Sequence, residues 1–155
     1  MAKLTLTPQQ QSVVEDRGGS LLVSAAAGSG KTKQVIDMVN TAVTEESGSV
    51  VCIENGQTLR LSIKHDVKLV DISEYGMELS YDHLYAFVCG LYCGNYDITH
   101  IFVDGLYKVT GDDDNAKAPA LLEKLEKLSK ETGIKFTLTL SLAEEDACDC
   151  IKKYL

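Results

Sequence analysis

The 155 residues carry 23 acidic against 15 basic side chains, for a formal net charge of −8. With 45% hydrophobic and 25% charged residues the composition is that of one ordinary globular domain with a buried core, which excludes a disordered protein and a two-domain motor. The acidic balance argues against a protein that tracks a phosphate backbone, since that affinity comes from clustered Lys and Arg, so nucleic acid is not an expected partner. No apolar run approaches the ~20 residues that span a bilayer, and Met1-Ala2-Lys3-Leu4-Thr5 lacks the apolar core of a signal peptide. No membrane partner and a cytoplasmic location are therefore expected. Cys52, Cys89, Cys93, Cys148 and Cys150 show no Cys-x-x-Cys spacing and no histidines placed to complete a zinc site, so reduced thiols are expected. Cys89 and Cys93, four apart in a helical pattern, read as buried small hydrophobes rather than as a redox pair.

In chain order, Thr7, Pro8 and Gln10 predict a helix start, with Thr7 as N-cap, Pro8 at the first helical position and Gln10 completing a capping box; Gly18 and Gly19 end that helix. Ser20 to Ser24 read as a buried strand around Leu21, Leu22 and Val23, followed by a Gly-rich turn. A helix from Lys31 to Thr44 presents Val35, Met38, Val39 and Ala42 on one face. Val50 to Ile53 predict a second strand. Leu59, Leu61 and Ile63, then Val67, Leu69, Val70 and Ile72, suggest two more extended segments paired through a turn near His65 and Asp66. Ser80 caps the next helix, with Leu84, Phe87, Val88, Leu91 and Tyr92 at helical spacing and Gly94 and Asn95 closing it. Ile101, Phe102 and Val103 form a short strand ending in Asp104, and the acidic loop Asp112, Asp113, Asp114 leads to a helix lined by Leu121, Leu122, Leu125 and Leu128. On its wet side Glu123 with Lys127 and Glu126 with Lys130 can pair, and Gly133 stops it. Phe136 to Leu140 predict the last strand, and a short helix begins near Glu144. The alternation of strands and helices predicts an α/β fold, a mostly parallel sheet with helices on both faces. The expected organisation is one domain over 1–155, with an N-terminal helix within 1–19 and the α/β core over 20–155.

Ala25-Ala26-Ala27-Gly28-Ser29-Gly30-Lys31-Thr32 lies between the first strand and the first long helix and matches the Walker A pattern, with Ala at its first position. Glycines there let successive backbone N–H groups wrap the β- and γ-phosphates, and the helix N-terminus adds partial positive charge. Lys31 supplies a point charge and Thr32 a hydroxyl for Mg²⁺. The expected nucleotide-binding set is thus Ala27, Gly28, Ser29, Gly30, Lys31 and Thr32, with Lys31 also assisting catalysis. Asp104, at the tip of an apolar strand, is the expected partner of Thr32 at the metal; a turn-capping Asp is the plainer alternative. Gly105 follows it, where many ATP-hydrolysing proteins carry a Glu. Glu54, ending the second strand, occupies the place from which some RecA-like ATPases present a water-orienting Glu. Its alternative is an ordinary strand-end carboxylate, and Asp71 is a further candidate. Ser141, or Thr139 before it, is placed to hydrogen-bond a γ-phosphate, although a Thr-rich run is also simply good strand sequence.

Leu6-Thr7-Pro8-Gln9-Gln10 and the run from Gly18 to Thr32 resemble the opening of superfamily 1 helicases, most closely the AddA-type recombination helicase-nucleases. The resemblance implies that Gln10 reads an adenine edge, and hence ATP rather than GTP. It covers only the first fifth of the chain, and helicase activity is not expected, because no DNA-contacting segments or second RecA-like domain follow. From Lys33 onward, Asn95 to Gly105 and the Lys-Phe-Thr-Leu-Thr-Leu-Ser strand resemble small stand-alone bacterial P-loop proteins that carry an ATP-binding or twitching-motility-ATPase-like label.

Arg17 and Arg60 are the only arginines, and neither is placed to reach a γ-phosphate within the same chain. A finger in trans is worth roughly 10³–10⁵ in rate, so slow hydrolysis is expected unless a protein partner or a second copy supplies an arginine. The expected activity is slow hydrolysis of Mg²⁺-bound ATP by a RecA-like P-loop protein. A switch or adaptor that binds ATP without turnover is the main alternative. A fragment-like relative of a helicase ATPase domain and a small-molecule kinase rank lower, the latter because no Arg-rich lid follows the fourth strand.

Overall fold

The computed structural model describes residues 20–25, 31–141 and 147–155. The expected N-terminal helix, the glycine-rich turn at 26–30 and the helix start near Glu144 lie outside these residues. Five strands, β1 (Leu21–Ala25), β2 (Ser49–Glu54), β3 (Lys68–Asp71), β4 (Ile98–Val103) and β5 (Lys135–Leu140), form one sheet in the order β1-β5-β4-β2-β3. Every neighbouring pair is parallel. Around the sheet run α1 (Lys31–Glu45), α2 (Tyr81–Gly94), the short α3 (Leu106–Thr110), α4 (Ala118–Thr132) and α5 (Asp149–Lys152). This is a RecA-like α/β architecture, as the alternation of elements predicts.

The strand order decides which face each helix covers. From β1 the chain crosses to β2 and then β3 in one direction along the sheet, and from β3 it returns to β4 and β5 in the other. Because parallel crossovers are right-handed, the outward and return helices fall on opposite faces. Accordingly α1 packs Val35, Val39 and Ala42 on Val50, Cys52 and Phe102, whereas Leu84 and Val88 of α2 and Leu121, Leu122 and Leu125 of α4 pack on Val51, Ile53, Ile101, Val103, Phe136 and Leu138. Successive strand residues therefore alternate between two separate cores. The outer edge of β1 is covered by the C-terminal segment, where Val23 N–H donates to the Tyr154 carbonyl at 2.9 Å and the Tyr154 hydroxyl donates to Glu126 at 2.7 Å. Among the described residues this segment covers that edge.

Several expectations hold residue by residue. Ser80 caps α2 by accepting from His83 N–H at 3.0 Å, Gly133 closes α4 in the left-handed conformation, and Glu126 pairs with Lys130 at 3.3 Å. Lys127 pairs with Glu131 rather than Glu123. The expected strand at Leu59–Ile63 is absent, and with it the hairpin at His65 and Asp66. Residues 55–67 are instead an irregular crossover of turns, with Ser62 N–H and Ile63 N–H both donating to the Leu59 carbonyl and Val67 N–H to Lys64. The reason is topological: β3 pairs with β2 in parallel, so the chain must return the full length of β2 before β3 can start, which a hairpin cannot do. Leu59 is fully buried against the α1 core, while Leu61 is 99% exposed. The thiol expectation also needs correction. Cys148 and Cys150 form a disulfide, and Cys93 is exposed rather than a core hydrophobe.

Candidate functional site

The carboxyl ends of β2 to β5 bring several polar residues together. Alternation along β2, β3, β4 and β5 places Glu54, Asp71, Asp104 and Thr139 on the face that also carries Cys52, Leu69 and Phe102, the face covered by α1. Asp104 directly follows β4, and its N–H donates to the Ile53 carbonyl at 2.8 Å, which sets its backbone beside Glu54. Thr139, 3% exposed on β5, ties this edge together: its hydroxyl accepts from Gly105 N–H at 2.8 Å and donates to Asp104 Oδ1 at 3.3 Å. Gly105 has φ +75°, a left-handed conformation that opens α3 immediately after the strand. A Glu there would be strained, a backbone reason for the missing acid after Asp104.

Glu54 is buried, 3% exposed, and its carboxylate accepts from Leu59 N–H in the crossover at 3.2 Å. Burial raises its pKa above the ordinary carboxylate value; the Leu59 N–H opposes this, and the neighbouring Asp104 and Asp71 charges add to the rise. Asp71 behaves differently. Its Oδ1 accepts from Ser73 Oγ at 2.6 Å, from Gly56 N–H at 2.9 Å and from Ser73 N–H at 3.0 Å. The Ser73 hydroxyl, with these N–H groups, holds its pKa low. Asp71 is thus a loop-capping residue rather than a free acid. A cleft of about 270 Å³ opens beside the two carboxylates, lined among others by Gln57, Arg60, Lys64 and His65.

Of the residues expected at the site, Gln10, Ala27, Gly28, Ser29 and Gly30 lie outside the described residues. Lys31 opens α1 and Thr32 is exposed in its first turn. Ser141 follows β5 and is exposed. The structure brings Asp104 and Thr139 together and sets Glu54 next to them. The Asp104 carboxylate is a hard oxygen donor, the kind Mg²⁺ takes when it keeps waters and phosphate oxygens in its shell, and so fits that ion. Sequence reasoning missed the hold of Asn40, on α1, over the crossover: its side-chain amide donates to the Ser62 carbonyl and its oxygen accepts from Lys64 N–H, both at 2.8 Å. No periodic signal marks such a residue, because the partner segment is irregular.

Residues 6–53 match the UvrD/REP helicase N-terminal domain family. Over 50 residues, 32% of this chain, the sequence is 46% identical to an ATP-dependent helicase/nuclease subunit from Lachnoclostridium phytofermentans. The chain spans only 4% of the length of that relative. The N-terminal region is therefore helicase-related. The family match ends at Ile53, on β2, so Glu54, Asp104, Thr139 and Ser141 all lie beyond it. Among the described residues no helix is long and apolar enough to cross a membrane.

Proposed function

We propose that this chain binds Mg²⁺-bound ATP at the carboxyl edge of the sheet and hydrolyses it slowly. The observation that carries the reading is the meeting of Asp104, Thr139 and Glu54 on the α1 face, in a chain whose helicase-related segment runs through the β1–α1 junction. Residues 27–32 cradle the phosphates, with Lys31 as the point charge and Gln10 on the adenine. Thr32 and Asp104 hold the metal, which when bound neutralises charge on the phosphate oxygens. Thr139 fixes the Asp104 carboxylate through its hydroxyl, and Ser141, just past the end of β5, donates toward the γ-phosphate. Glu54, whose pKa burial raises above the ordinary carboxylate value, orients the attacking water. Turnover is slow because neither arginine of the chain serves as a finger; a protein partner or a second copy supplies one.

Calorimetric titration with ATP and Mg²⁺ tests the binding half. Saturable heat that disappears in Lys31→Ala is expected, and triphosphate giving no more heat than buffer removes the reading. Phosphate release tests the catalytic half, with Glu54→Gln expected to lower the rate about 100-fold or more, the scale of a lost general base, at unchanged affinity. A second reading, a nucleotide-dependent switch or adaptor without turnover, is favoured by one specific observation: the Glu54 carboxylate is engaged with Leu59 N–H rather than turned to the open edge. Tight binding with no phosphate release over hours selects it.

A further inference from the structure

The crossover 55–67 is held to the rest of the fold at several points, among them Asn55, whose amide donates to the Lys108 carbonyl at 2.7 Å, and Arg60, which pairs with Glu74 at 3.6 Å. Gly56 N–H is fixed by Asp71, Leu59 N–H by Glu54, and Ser62 with Lys64 by Asn40 of α1. Of these, the Glu54 link is the one that reaches the candidate nucleotide site, because Glu54 and Asp104 end neighbouring strands on the same face. We propose that Glu54 is a two-position carboxylate coupling that site to the crossover: it holds Leu59 N–H when no nucleotide is bound, and turns toward Asp104 when nucleotide binds, releasing the turn around Leu59. The inference rests on the proposed nucleotide site and adds to it a readout surface.

Four observations support it. The Glu54 carboxylate is held by backbone N–H alone, and among the described residues no ion pair joins a basic side chain to Glu54, Asp71 or Asp104. The like charges of Asp104 and Asp71 press on it, so its hold on the crossover is opposed by its neighbours. The other anchors of the crossover do not involve Glu54, so its departure loosens the turn around Leu59 without freeing the crossover as a whole. Next to that segment lie the 270 Å³ cleft and the 99% exposed Leu61, so the backbone on that side can move while the buried Leu59 side chain stays in the α1 core.

Hydrogen exchange on the full chain, followed by mass spectrometry of a peptide covering residues 57–63, tests this with a non-hydrolysable ATP analogue and Mg²⁺. Losing one hydrogen bond of about 1 kcal/mol predicts roughly fivefold faster exchange when the analogue is bound. In Lys31→Ala the analogue should leave the peptide unchanged. In Glu54→Ala exchange should already be fast without nucleotide and gain nothing from it; if that variant does not fold, Glu54→Gln, which keeps an acceptor but loses the charge, should show a blunted response. Calorimetry on the same samples separates the site from the coupling. Absence of binding removes the nucleotide site itself, whereas binding at full affinity with unchanged exchange over 57–63 overturns the coupling alone.

Discussion

Thr139 shows how one side chain can hold a site together. Its hydroxyl serves the Gly105 N–H and the Asp104 carboxylate at once, so Thr139→Val keeps the volume while stranding a donor and freeing an acid. A loss of about 1–2 kcal/mol is expected, read as a fall in Tm of roughly 3–8 °C for a chain of this size, together with weaker Mg²⁺-dependent ATP binding. An unchanged Tm would mean that Gly105 N–H finds another acceptor. Gly48 makes a different kind of demand. A Cβ there would collide with the Asp97 carbonyl and the Thr99 methyl, where the turn from α1 into β2 passes over the start of β4. Gly48→Ala should therefore cost about 1–3 kcal/mol, measurable as a lower urea midpoint at unchanged slope.

At the scale of elements, the crossover 55–67 is held by side chains rather than by a ladder of its own. Asn40→Ala removes both of its bonds to that segment without touching the α1 backbone. The expected result is faster limited proteolysis within 57–66 at nearly unchanged helical circular dichroism, and a stability loss of about 1–2 kcal/mol. Equal cleavage rates in the variant and the parent would show that Glu54 and Asp71 suffice. The two faces of the sheet differ in a related way. The face under α2, α3 and α4 is filled by Val51, Ile53, Ile101, Val103, Phe136 and Leu138, whereas the α1 face carries Thr137, Thr139 and His100 beside its smaller apolar core. Among the described residues α1 is the helix on this face, and these polar residues stand beside the apolar core it covers.

For the molecule as a whole, the polar cluster at the opposite end of the sheet sets the acid limit. Glu46 takes a 2.8 Å ion pair from Lys135 and lies 3.5 Å from His100, whose ring stacks on Phe102 and whose Nε2 is 2.9 Å from the Thr137 hydroxyl. Burial pushes the Glu46 pKa up, but hydrogen bonds from His100, Lys135 and Thr99, with the Lys135 charge, outweigh it and hold the pKa at about 2. Burial lowers that of His100 from its ordinary 6.5. Both groups bind protons more readily when unfolded, so each contributes stability that is lost on acidification, His100 as pH falls below 6.5 and Glu46 as it falls from 4.5 toward 2. A pH series of urea melts should show this decline, and Glu46→Gln should flatten its lower part; an identical slope in the variant counts against the assignment. Thiol labelling offers a second global measurement. Cys93 should react at once, and buried Cys52, whose pKa is raised by burial and by the Asp104 and Glu54 charges, only at the rate of opening.

The sequence by itself determined the elements whose signals are local. Apolar runs specify β1, β2, β4 and β5, helical spacing specifies α1, α2 and α4, and Ser80 and Gly133 mark their ends, because capping and periodicity act within a few residues. It also singled out Asp104, Glu54 and Thr139 as strand-end groups worth attention. Tertiary structure decided the rest. Parallel pairing of β2 with β3 turned an alternating Leu59–Ile63 stretch into a crossover, since register across a sheet depends on partners distant in the chain. The order β1-β5-β4-β2-β3 put Thr139 between the β1–α1 junction and Asp104, and turned Glu54 inward onto Leu59. Which acid caps a loop, as Asp71 does, and which remains available for chemistry is settled by the donors that folding brings within reach of each carboxylate.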